Sequence, residues 1–159
     1  MQVLYEHQVN ADISLLNQVW QTKELFVFLP NKTVVDIDWL KTTMHGLPAS
    51  LQTNHFGLLT SGSTGLPKLI IGQRNRADRL VHCLHQEQGS EVVNQTLVTL
   101  PLTYSYAFIN QWLWSRVHNR ELLLTQGFSE PDRLRELLLD SRDAMLCLVG
   151  GQVPLLRQY

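Results

Sequence analysis

The sequence predicts an α/β protein built on a largely parallel sheet with helices on both faces. Three observations carry that expectation. Short apolar strands recur at regular intervals in the second half, over residues 96–100, 121–124 and 144–149, with helical apolar spacing between them. A continuous apolar run, Leu25-Phe26-Val27-Phe28-Leu29, stops at Pro30 and reads as a strand buried on both sides. The chain has 159 residues, 44% of them hydrophobic and 17% charged, the profile of one cored globular unit. At that length folding buries about 70% of the surface the unfolded chain exposes, so no metal or disulfide staple is required.

The elements follow in order. A first helix is expected around residues 12–20, because Ile13, Leu16 and Trp20 share one face, and the strand of residues 25–29 comes next. Asp36 is placed to cap a short helix carrying Ile37, Leu40 and Met44, which Gly46 and Pro48 end. Residues 56–60 read as a strand, 61–67 as a loop of small and hydroxyl residues, and 68–71 as a second strand. Ala77, Leu80, Val81 and Leu84 then recur at i, i+3, i+4 and i+7, the face of an amphipathic helix closed by Gly89. Of the two helices between the later strands, the first carries Ile109, Trp112, Leu113 and Val117. The second carries Leu134, Leu137 and Leu138, with Ser129 and Asp132 in capping-box-like positions. Glycine and proline fall singly at the changeovers, and no internal repeat or low-complexity tract interrupts them, so residues 1–159 read as a single unit.

Charge and composition exclude several function classes. Thirteen Lys and Arg against 14 Asp and Glu give a net charge of −1 without a basic block, so the electrostatic footprint of nucleic-acid binding is missing. No apolar run approaches the roughly 18 residues of a membrane span, and the amino terminus lacks a charged segment followed by an apolar one. A cytoplasmic protein is expected. Cys83 and Cys147 lie far apart with no C-x-x-C spacing and read as reduced, buried thiols. His82, Cys83, His85 and Glu87 could place a metal on one helical turn, but no distant ligand cluster accompanies them, and solvated helix residues are the better reading. His45, His55 and His118 stand alone as loop or cap residues. Trp20, Trp39, Trp112 and Trp114 read as core or interface. No metal site is assigned.

One segment requires a chemical explanation rather than a packing one: Thr60-Ser61-Gly62-Ser63-Thr64-Gly65-Leu66-Pro67-Lys68. Glycines permit the tight turns that aim successive backbone N–H groups into one concavity, a nest suited to phosphate oxygens. The hydroxyls add donors, and Lys68 supplies the charge that makes phosphate contacts charge-assisted. The G-x-x-x-x-G-K-[ST] pattern cannot be laid over these residues, and the loop leads into a strand rather than a helix. A nucleophile elbow would need Gly at position 61, where this chain has Ser.

These nine residues resemble the phosphate loop of the adenylate-forming superfamily, the acyl-CoA synthetases, luciferases and peptide-synthetase adenylation domains, whose consensus is T-S-G-[ST]-T-G-x-P-K. All nine positions agree, which chance supplies in roughly one chain in a million. Downstream, Leu100-Pro101-Leu102-Thr103-Tyr104-Ser105-Tyr106-Ala107-Phe108 is similar to the family's L-P-L-x-H-x-x-G-L segment, and residues 149–156, with Val153-Pro154, to the strand and turn that follow. The resemblance covers residues 55–159; residues 1–54 match no family motif and form a short lead-in subdomain. Three departures stand out: Leu69 follows Lys68 where many members have Gly, Tyr104 replaces a frequent His, and Ala107 replaces a Gly. With them the chain is most similar to free-standing acyl-CoA or acyl-AMP ligases.

The resemblance implies that the chain is an incomplete part of the large N-terminal domain of such an enzyme. The reaction implied is attack of a carboxylic acid on the α-phosphate of ATP, with Mg2+, to give an acyl-adenylate and pyrophosphate. Transfer to CoA or to a carrier protein follows. Thr60, Ser61, Gly62, Ser63, Thr64, Gly65 and Lys68 would hold the phosphates, and Tyr104, Tyr106 and Ala107 would face the acyl group. The family's magnesium-holding Glu, its catalytic Lys and its C-terminal domain have no counterpart here, so the chain alone is expected to be inactive. The alternative is a non-catalytic split subunit or interaction module that keeps the nucleotide-binding sheet. Either way, an incomplete sheet invites self-association or a partner chain.

Overall fold

The computed structural model describes residues 2–31, 36–61 and 67–157. They form two compact units, Met1–Ala77 and Asp78–Tyr159. The first contains β1 (Gln2–Tyr5), α1 (Glu6–Ala11), α2 (Ser14–Gln21), β2 (Phe26–Leu29), α3 (Ile37–His45), β3 (His55–Ser61), β4 (Pro67–Gln73) and the start of α4 (Arg74–Glu87). Its sheet has the order β1-β2-β3-β4, in which β1, β2 and β3 run parallel and β4 returns antiparallel beside β3.

Strand alternation explains why this sheet takes helices on both faces. All four residues of β2 are buried, and successive side chains must point to opposite sides. Val27 and Leu29 join Leu59, Leu69 and Ile71 in a cluster with Leu40 and Met44 of α3. Phe26 faces the other way with its register partner Phe56, and both rings meet Trp20 of α2, at 6.2 and 5.3 Å between centroids. The expected cap of α3 is present: the Asp36 carboxylate accepts from the Asp38 N–H at 2.8 Å, and Gly46 ends the helix.

The second unit holds the rest of α4 and a three-stranded sheet of order β6-β5-β7, all parallel, from β5 (Gln95–Val98), β6 (Glu121–Leu124) and β7 (Ala144–Leu146). A helix joins β5 to β6 in three pieces: α5 (Ser105–Ala107), a π-turn over Phe108–Leu113, and α6 (Trp114–Val117). α7 (Pro131–Asp140) joins β6 to β7, and α8 (Val153–Leu156) follows. The two crossovers travel in opposite directions along the sheet, and the right-handed rule for such connections assigns their helices to opposite faces. Gly127, at φ 57°, lets the turn after β6 close on the end of β5; a Cβ there would lie 2.8 Å from the Thr99 carbonyl oxygen. No helix among the described residues is long and apolar enough to cross a membrane.

The α/β class and the mostly parallel strands agree with the sequence expectation, but the strands are divided between two sheets. Several local expectations change. In α4 the buried stripe is Arg74, Ala77 and Val81, with Leu84 and His85 half-buried, and Leu80 remains 47% exposed. Glu130 rather than Ser129 precedes α7, because Pro131 opens that helix while Ser129 sits in a 3-10 turn, its N–H bonded to the Gln126 carbonyl. Cys83 is exposed on α4 while Cys147 is buried. Three tryptophans are core, but Trp39 is 44% exposed. The π-turn was invisible in the spacing of Ile109, Trp112, Leu113 and Val117. Residues 111–115 are all buried, so the helix has no solvent face there to set a 3.6-residue rhythm.

Arg74 is the polar group that ties the first unit together. Its guanidinium donates to the carbonyls of Trp20, Thr22 and Glu24 and lies 5.6 Å from the Trp20 ring and 5.1 Å from the Phe26 ring. Its own N–H bonds to the Asn54 carbonyl at 3.0 Å. Carbonyl acceptors and aromatic faces together offset the cost of burying the charge. Arg74→Met keeps the apolar stem but leaves those carbonyls without a donor, so unfolding in urea is expected to show a loss of about 3 kcal/mol. A loss under about 0.5 kcal/mol would show that the guanidinium is incidental to stability.

Candidate functional site

The hydroxyl and glycine segment is anchored by the β3–β4 hairpin. Thr60 pairs with Lys68 and Ser61 with Pro67, so the two ends of the segment are held side by side. Thr60 is half-buried and Lys68 exposed. Gly62, Ser63, Thr64 and Gly65, with Leu66, lie outside the described residues. Because β3 runs parallel to β1 and β2, the segment leaves the carboxyl edge of the parallel strands, the edge at which open α/β sheets bind ligands. Its exit into a strand agrees with the sequence argument against a P-loop. A shallow hollow lined by Glu24, Leu25, Met44, His45, Gln52 and Thr53 sits at the amino ends of β2 and β3 and includes none of these residues.

The second group of candidates occupies the carboxyl end of the other sheet. Tyr104 caps α5, whose three residues include Tyr106 and Ala107. The tyrosines are 54% and 47% exposed, whereas Ala107 is completely buried. β5 lies between β6 and β7, and the chain reverses direction across the sheet at that strand, so α5 starts beside a topological switch point. Thr99 Oγ1 donates to the Cys147 carbonyl at 3.3 Å, which joins the ends of β5 and β7. Further along the helix the buried Gln111 amide donates to Thr96 Oγ1 at 3.0 Å and to the Leu97 carbonyl at 2.8 Å, locking the π-turn to β5.

Sequence reasoning missed a partner here. The Tyr106 hydroxyl is hydrogen-bonded to the Cys147 thiol, and the charge that Cys147 would carry, with partial burial, pushes the Tyr106 phenol above its ordinary range. Burial pushes the Cys147 thiol up in turn, and the Tyr106 hydrogen bond opposes that shift. Both groups therefore favour their protonated forms. Only the pairing of β5 with β7 brings these residues together, and no sequence spacing encodes it.

His118 is not alone. Its ring stacks on His85 at 3.9 Å and meets His82 edge-on at 5.0 Å. Among the described residues there is no group of three His, Cys, Asp or Glu that could hold a metal ion. Parallel stacking is itself unsuited to ligation, because it sets ring nitrogens side by side instead of converging them.

No protein-family model matches the chain, and no curated protein matches it. Solved structures do. The o-succinylbenzoate CoA synthetase of Bacillus subtilis in complex with AMP superposes with a TM-score of 0.59 at 16% identity, over 99% of this chain and 50% of that one. The same synthetase in complex with its acyl-adenylate intermediate gives a TM-score of 0.56 at 16% identity, with the same coverage. This chain thus has an acyl-CoA synthetase fold and spans about half the length of those enzymes. At such identity the likeness is one of fold.

The two thiols offer a direct check on the geometry around Tyr106. With a soluble disulfide reagent at about pH 8, exposed Cys83 should react promptly and Cys147 about tenfold or more slowly, the difference vanishing in denaturant. Equal rates in the native protein would show that Cys147 is not enclosed beside Tyr106.

Proposed function

We propose that this chain is the phosphate-holding and acyl-facing portion of an ATP-dependent carboxylate ligase. The observation that carries the reading is the nine-residue segment from Thr60 to Lys68, its ends paired at the carboxyl edge of a parallel sheet, in a chain with the fold of half an acyl-CoA synthetase. A polyphosphate suits the donor set. Thr60 and Lys68 are paired where the hairpin turns, and by sequence Ser61 and the intervening glycine and hydroxyl residues offer further donors.

In this reading the chain's residues work by positioning and charge neutralisation. Lys68 offsets the charge that develops on the departing pyrophosphate when a carboxylate attacks the α-phosphate. Tyr104 and Tyr106 border the acyl group, which then passes from its adenylate to a thiol of CoA or of a carrier protein as AMP departs. The described residues include no carboxylate cluster fit for Mg2+, so no step is assigned to magnesium on this chain. Val149, Val153 and Leu155 are exposed beyond the edge strand β7, which supports a surface that takes up further strands, from the same polypeptide or from a second chain.

Calorimetric titration with ATP tests the reading in the 159-residue chain. Binding is expected, and Lys68→Ala should weaken it by about tenfold or more, the scale of one charge-assisted phosphate contact. Unchanged affinity would remove the phosphate-loop assignment. Carboxylate-dependent pyrophosphate exchange should need the remaining segments of the enzyme; exchange that stays absent when they are supplied would favour a non-catalytic module.

A further inference from the structure

The histidine cluster of the second unit belongs to neither candidate site, yet its geometry is specific. His82 and His85 project from α4, and His118 ends α6. His85 Nδ1 accepts from the Trp114 indole N–H at 3.3 Å, so that nitrogen carries a lone pair and the ring proton sits on Nε2. His118 Nε2 lies 3.4 Å from the Val81 carbonyl oxygen, a contact that requires its proton there. The two rings stack within 20° of parallel at 3.9 Å. The indole contact and the stack suit neutral imidazoles, whereas the Val81 contact serves the neutral and the protonated ring alike. A proton added at His85 Nδ1 would face the indole N–H, and two charged rings stacked at this distance would repel.

We propose that His82, His85 and His118 form a proton-operated clasp, which holds α4 against the end of the helix carrying Tyr104 and Tyr106 while the imidazoles are neutral and loosens it on acidification. The groups acting on His118 are His82 and His85 from α4 and Arg120 from its own segment, all cationic when protonated. Burial, followed by His85, lowers the His118 pKa, and the Val81 carbonyl opposes the shift. Arg120 is held by the Glu91 carbonyl at 3.1 Å. On α4, Asp78 Oδ1, one turn before His82, has no hydrogen-bond partner, and Glu87 is exposed. The sign follows from the lowered value. The unfolded chain binds the proton more readily, so stability falls as pH drops through the ordinary histidine range toward the folded pKa.

The test is an NMR titration of the imidazoles in the full chain, with amide hydrogen exchange at about pH 7.5 and about pH 5.5, corrected for intrinsic rates. His118 should titrate below an ordinary histidine. Amides of residues 79–88 and 114–120 should lose protection about tenfold or more at the lower pH, relative to those of β5. In His85→Gln/His118→Gln that pH-dependent loss should disappear. Titration of His118 in the ordinary range, or the same loss of protection in the folded double variant, would overturn the clasp. If the variant does not fold, the wild-type titration and exchange decide alone.

Discussion

The first unit depends on a buried cation at a joint of the chain. Arg74 is the first residue of α4, yet its guanidinium reaches back to the carbonyls that lead into β2, over the rings of Trp20 and Phe26. Its backbone holds the segment before β3 through Asn54. One residue therefore ties the starts of β2 and β3 to the end of β4, which sets their register at the open end of the hairpin. The turn end, where Thr60 faces Lys68, inherits that register pair by pair. An aliphatic side chain could fill the same volume but could not satisfy the carbonyls, which is why a charge is retained in an otherwise apolar setting.

The second unit solves the same problem with neutral groups. Gln111 inserts its amide between Thr96 and the Leu97 carbonyl, and the π-turn around it lets consecutive residues 111–115 all find buried neighbours. Trp112, Leu113 and Trp114 could not all enter the core from one narrow stripe of a regular helix. The wider turn spreads them, and α5 is thereby set at the carboxyl end of β5, where Tyr106 meets Cys147. The same helix ends at His118, so the tyrosines and the imidazole cluster stand at opposite ends of one rigid element. The Thr60–Lys68 segment and the tyrosines thus share a general property of parallel sheets: both lie at the carboxyl ends of strands, where loops are held by the fixed strands beneath them.

Legibility in the sequence followed the range of the interactions. The strand of residues 25–29, the Asp36 cap with its helix, β6 and the strands on either side of the glycine segment were all readable, because each rests on local periodicity or on a backbone preference. In α4 the apolar spacing and the packed face coincide only in part. Leu80 fits the apolar spacing, but burial of Arg74 rotates the packed face away from it. The Ser129 cap failed because proline at position 131 opens its own helix.

The sequence by itself determined the α/β class, most elements and the concentration of glycine, hydroxyl and ammonium groups between Thr60 and Lys68, since turn geometry, strand alternation and side-chain donors are properties of neighbouring residues. Only the tertiary structure decided that the strands divide into two sheets, that Tyr106 meets Cys147, and that two histidines of α4 pack against His118. Those outcomes depend on which strands pair and which helical faces meet. Such choices are made by the whole buried surface at once, and no local spacing records them.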